Sequence, residues 1–82
     1  MADYTHLNYR IQPNFKIGKP DQWYEEGYFY VKGKFFFYSD DRHDSIYKVE
    51  LIANSKQDFK SFCRNKNIEI PLTFWGQIKR MQ

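Results

Sequence analysis

Cysteine occurs once, at Cys63, so the chain cannot close an internal disulfide or assemble a multi-cysteine zinc site. No apolar run exceeds four residues, which excludes a membrane-spanning segment and a signal-peptide core and makes the cytoplasm the expected setting. Histidine is limited to His6 and His43, with no pair at metal spacing, no glycine-rich phosphate loop and no G-x-S-x-G. Three carboxylates and an imidazole do crowd together at Asp40, Asp41, His43 and Asp44, but Arg42 sits among them and neighbouring side chains on a strand point apart, so a solvated turn is expected. Lys48-Val49-Glu50 has the residue types of a nuclease E-x-K element in reverse order and is discounted. The chain is expected not to be an enzyme and to need no cofactor or metal.

Alanine appears only at positions 2 and 53, so large side chains must fill the core that small ones usually share. They are supplied by aromatic residues, 21% of the chain. Eighty-two residues make one domain, 1–82, able to bury roughly 60–65% of its unfolded surface. Phe, Tyr, Ile, Lys and Asn together account for 36 of the 82 residues, a bias that AT-rich coding DNA also produces and that points to a low-GC bacterium or a phage. The net charge of +3 is unevenly spread: residues 1–55 sum to −1 and residues 56–82 to +4.

The densest aromatic stretch runs from Gly27 to Tyr38 and is hinged at Lys32-Gly33. A two-residue loop there predicts a β-hairpin with Val31 opposite Lys34, Tyr30 opposite Phe35, Phe29 opposite Phe36 and Tyr28 opposite Phe37. One face then carries Phe29, Val31, Phe36 and Tyr38, the other Tyr28, Tyr30, Phe35 and Phe37. A small sheet usually buries one face and wets the other, so two aromatic faces mean that both are covered or that one meets a partner.

Around this hairpin, Thr5, Leu7, Tyr9 and Ile11 alternate with polar residues and are expected to form a first strand. Pro13-Asn14 should turn the chain, Phe15 and Ile17 suit a short extended piece, and Gly18-Lys19-Pro20-Asp21 is a further turn signal. Ile46–Ala53 alternates again, with Tyr47, Val49 and Leu51 set against Lys48 and Glu50. Ser55 is a helix N-cap with Asp58 in the first turn. Phe59, Phe62 and Cys63 mark one face of that helix and Lys56, Lys60 and Arg64 the other. Asn67 suits a left-handed stop with Ile68 packing back behind it. Pro71 opens a last helix carrying Leu72, Phe74, Trp75, Ile78 and Met81. The predicted fold is α+β: an antiparallel meander of about four strands, then two C-terminal helices on one face.

Two stretches resemble nucleic-acid-binding elements. Lys32-Gly33-Lys34-Phe35-Phe36-Phe37 is similar to the K-G-aromatic strands of RRM and cold-shock domains, which implies base stacking, although the βαββαβ order of an RRM is absent and Lys34 stands where the first aromatic belongs. Phe62-Cys63, Asn67-Ile68, Thr73-Phe74 and Ile78 resemble a helix-turn-helix with one residue too many in its turn. That resemblance implies Thr73, Trp75, Gln77 and Lys79 in a DNA groove and Lys56, Lys60 and Arg64 at phosphates.

Two functions are expected from these features. In the first, a non-catalytic inhibitor or adaptor of phage type covers a surface of a larger protein or nucleoprotein complex, using Tyr28, Tyr30, Phe35, Phe37, Trp23 and Trp75 as contact residues. In the second, the chain binds DNA or RNA directly through Lys32, Lys34, Lys56, Lys60, Arg64, Lys79 and Arg80. A homodimer that hides a surplus aromatic face is a third reading. Cys63 beside Phe59 and Phe62 reads as a small buried apolar residue.

Overall fold

The Lys32-Gly33 turn sets the register of the sheet. Both residues have positive φ (47° and 87°), as a two-residue primed turn requires, and the glycine adopts it without strain. The computed structural model describes residues 3–81. In it β2 (Tyr24–Val31) and β3 (Lys34–Asp41) pair antiparallel with Val31 opposite Lys34, Tyr30 opposite Phe35, Phe29 opposite Phe36 and Tyr28 opposite Phe37, the predicted register. The strand β1 (Asn14–Ile17) adds to the outer edge of β2 and β4 (Ile46–Ala53) to that of β3, giving the order β1-β2-β3-β4. The expected α+β meander is completed by α1 (Lys56–Asn65) and α2 (Leu72–Arg80).

Helix α1 starts where Ser55 Oγ accepts the Asp58 amide at 3.1 Å. It ends with Asn67 at φ 56°, the Asn67 amide donating to Arg64 O and the Ile68 amide to Cys63 O, the paired bonds of a Schellman stop. Ile68 packs back on the core, as expected. A bulge between β3 and β4, where Phe35 faces Ala53 but Phe36 faces Leu51, turns Ile52 and Ala53 together toward the helices.

Both aromatic faces of the hairpin are covered. On one, Phe15, Tyr28, Phe35 and Ala53 pack against Phe59 and Cys63 of α1 and Phe74 and Ile78 of α2; the rings of Phe35 and Phe59 stack at 4.4 Å. On the other, Phe29, Phe36 and Tyr38 lie under the N-terminal segment, which lays Tyr4, Leu7 and Tyr9 across them. The Tyr9 ring stacks on Tyr38 with centroids 3.8 Å apart, Tyr4 meets Phe36 edge-on at 5.1 Å, and the Tyr47 hydroxyl donates to Leu7 O at 2.8 Å.

That cover replaces the strand expected over Thr5–Ile11. Local polar bonds win there. Asp3 Oδ1 accepts the Thr5 amide and hydroxyl, Asn8 Oδ1 accepts the Arg10 amide, and Tyr9–Ile11 forms a single 3₁₀ turn. The first strand is instead the Asn14–Ile17 piece, reached directly from Pro13. Asn14 Nδ2 donates to Tyr9 O and Gln12 O and so ties the turn to the strand. Of the apolar residues named for the last helix, Phe74 and Ile78 are buried, while Leu72 at its start and Met81 just past its end are 86% and 60% exposed. Among the described residues, no helix is long and apolar enough to cross a membrane.

Gly27 pairs with Lys16, and β1 leaves no room there for a side chain. A Cβ there would lie 2.1 Å from the Phe15 carbonyl oxygen, a backbone atom that cannot swing away. Gly27→Ala is therefore expected to cost about 2 kcal/mol, lowering the thermal midpoint by roughly 10 °C in circular dichroism melts. Gly76→Ala, with no atom within 4 Å of the added methyl in a helix interior, should raise it.

Candidate functional site

A groove opens between the hairpin tip and the helices, with a volume of about 520 Å³. Its strand side is Tyr30, Gly33 and Phe35; its helix side is Lys56 at the start of α1 and Trp75, Ile78 and Lys79 of α2. Trp75 is held by ring contacts, edge-on to Phe35 at 6.0 Å and to Phe59 at 6.4 Å, yet stays half-exposed. Lys56 and Lys60, four residues apart on α1, place their Nζ atoms 4.9 and 5.3 Å from the centre of its ring. Gly76 contributes no side chain, which leaves the α2 side of the groove open.

The electrostatics of this end are one-sided. Among the described residues, no carboxylate lines the groove. Among the described residues, Arg10, Lys16 and Arg42 form ion pairs with carboxylates, and Lys32, Lys34, Lys56, Lys60 and Lys79 form none. A concave surface lined by unpaired cations concentrates positive potential.

The structure gathers some of the expected contact residues and separates others. Tyr30, Phe35, Trp75, Lys56 and Lys79 line the groove and Lys60 reaches the Trp75 ring, whereas Lys32 is exposed in the turn and Lys34, opposite Val31, stands on the other face of the sheet. Arg64 and Arg80 are exposed beyond it. Tyr28 and Phe35 are only 3% and 1% exposed, so neither offers the ring face that a partner on the aromatic sheet would need. Phe37 borders a separate cavity with Ser39, Lys48 and Glu50. Trp23 is exposed at the far end of β2, about 26 Å along the strand from the tip, edge-on to His43 at 6.0 Å. The helix-turn-helix expectation is corrected as well. Residues 66–71 separate the helices, longer than the three- or four-residue turn of that motif, and Trp75 is turned inward onto Phe35 and Phe59 rather than outward toward a duplex.

A second constellation lies on the other face, where the chain holds a carboxylate indoors. Glu25 is 6% exposed. Tyr38 donates to its Oε2 at 3.1 Å, Arg42 Nη2 pairs with its Oε1, and Lys16 Nζ stands 3.7 Å from Oε2. The single Tyr9 hydroxyl proton is shared between Glu25 Oε1 at 2.8 Å and Asp40 Oδ2 at 2.9 Å. Arg10 reaches the same Asp40 oxygen at 3.1 Å. Burial would raise the Glu25 pKa, but the Tyr9 and Tyr38 hydroxyls and the charges of Lys16 and Arg42 together hold it below its ordinary value. Burial and the same carboxylates push Tyr9 and Tyr38 up.

Asp40 is thus part of an ion-pair network and not of the solvated turn expected around it. Asp41 does make that turn, accepting the His43 and Asp44 amides. The signal for the network was present in the hairpin register, which places Glu25 opposite Asp40 on the Phe29 face, where two carboxylates demand cations.

With donors on both oxygens, Glu25 is held as an anion and is poorly suited to accept a proton from a substrate. Burial pushes the Cys63 thiol up to about 11, which keeps it protonated at neutral pH. Among the described residues, no group of three His, Cys, Asp or Glu side chains is placed to hold a metal ion.

Because the folded pKa of Glu25 is depressed, its stabilisation is present above the ordinary value of 4.5 and is lost as pH falls through the lower folded value. Glu25→Gln should cost about 2 kcal/mol at pH 7 by removing the buried charge that Arg42 and the Tyr9 and Tyr38 hydroxyls bond. Urea melts at pH 7 and pH 3 should show the wild type losing more stability on acidification than the variant.

Comparison with known protein families, curated proteins and solved structures finds no match to this chain.

Proposed function

We propose that this chain works by contact rather than turnover, setting its basic groove against an anionic surface of a larger protein or nucleoprotein complex, in the cytoplasm and in the manner of a small phage-type inhibitor or adaptor. One observation carries the reading. Among the described residues, Lys56 of α1 and Lys79 of α2 stand without carboxylate partners on the helix walls of a groove that no carboxylate lines. Elsewhere Lys16, Arg10 and Arg42 are drawn onto Glu25 and Asp40. Like charges held close together cost stability, and a partner of opposite sign offsets that cost.

The aromatic sheet face has no share in this reading, because the N-terminal segment and the helices already occupy both sides of the hairpin. For the same reason the surplus face that a homodimer would have hidden is covered within one chain.

Immobilised heparin supplies a polyanion to test the groove. The wild type should be retained and released by salt. The double variant Lys56→Glu, Lys79→Glu should elute at clearly lower salt with unchanged circular dichroism, and the charge-matched double variant Lys19→Glu, Lys48→Glu, at exposed positions outside the groove, should elute much closer to the wild type. Equal losses for the two double variants would show that net charge alone sets retention and would overturn the groove.

A further inference from the structure

Resting on that reading of the groove, we infer that its ligand is single-stranded nucleic acid, with a base on Trp75 and phosphates on Lys56, Lys60 and Lys79. The groove joins two chemistries that an acidic peptide does not match together. Ammonium groups stand within 5.3 Å of the centre of a half-exposed indole ring, and a third lysine lines the α2 wall. A nucleotide brings a planar π-face and a phosphate anion in one unit, so a base arriving on the ring displaces an ammonium toward the phosphate it carries. An acidic side chain satisfies only the cations.

The cavity, about 520 Å³, lies within the range of roughly 300–1,000 Å³ typical of small-ligand sites, large enough for a nucleotide-sized unit. Duplex DNA fits the geometry less well. Its bases are stacked and present no face to a recessed ring, and Trp75 points into the groove against Phe35 and Phe59, leaving α2 without an outward aromatic. Lys32, exposed in the turn beside Gly33, adds a cation at the hairpin tip, where a strand leaving the groove would continue.

The ring reports directly on its own occupancy. In a Trp23→Phe background Trp75 is the only tryptophan, and its emission is followed while a 20-mer of thymidylate, a 20-base-pair duplex or poly-glutamate is added. The single strand should quench Trp75, with affinity falling by roughly twentyfold between 50 and 200 mM salt for three phosphate contacts. Trp75→Leu should weaken binding of the labelled 20-mer by roughly tenfold, as loss of one stacked base does, and Trp75→Tyr should restore most of it.

Quenching by duplex or poly-glutamate as strong as by the single strand, or single-strand binding that leaves Trp75 emission unchanged, would overturn the inference while leaving a polyanion groove. Binding of every probe untouched by Lys56→Glu and Lys79→Glu would remove the groove as well.

Discussion

A hairpin with rings on both faces cannot leave either face in water, and that constraint shapes the rest of the molecule. Each buried ring removes a large apolar area from solvent, and the two faces draw their cover from opposite ends of the chain. The C-terminal helices close over Tyr28 and Phe35, while the N-terminal segment closes over Phe29, Phe36 and Tyr38. The N-terminal cover is thin, a turn and a 3₁₀ segment, and the Glu25 network ties it down. Tyr9 contributes a stacked ring and a shared hydroxyl proton, and Arg10 a bond to Asp40. A buried carboxylate held by this many donors is costly to break by removing any one partner.

The same network sorts the charges. Glu25 and Asp40 draw Arg10, Lys16 and Arg42 to one side of the sheet, while Lys56 and Lys60 of α1 and Lys79 of α2 gather beside the tip without carboxylate partners among the described residues. Net charge of +3 understates this separation. A protein of modest overall charge thereby presents a locally cationic groove, and an aromatic ring sits inside it where the helices cross the hairpin end.

Much of the fold was legible in the residues. The Lys-Gly turn set the pairing of β2 with β3 because positive φ at both turn positions leaves few alternatives, and the helix ends were marked by the Ser55 hydroxyl as a cap acceptor, by Asn67 in the left-handed region and by the fixed φ of Pro71. The N-terminal strand was misread because alternation of Leu7, Tyr9 and Ile11 describes any segment lying flat on a surface, and only Asp3 and Asn8 hinted that side chains would bond the local backbone instead. Which hairpin face stays open could not be read locally, since its answer, neither, depends on contacts between Tyr9 and Tyr38 far apart in sequence. The groove was half visible. Its lysines and Trp75 were singled out one by one, but their convergence follows from the packing of α1 and α2 beside the tip.

Burial of the second face requires the N-terminal segment to cover it within a single chain. The most direct measurement is a nuclear Overhauser spectrum of the 10.1 kDa protein, mixed from labelled and unlabelled chains at two concentrations. Contacts between the Tyr9 and Tyr38 rings and between Tyr4 and Phe36 should appear within one chain, unchanged by dilution. Absence of those contacts, or their appearance only between chains, would contradict it.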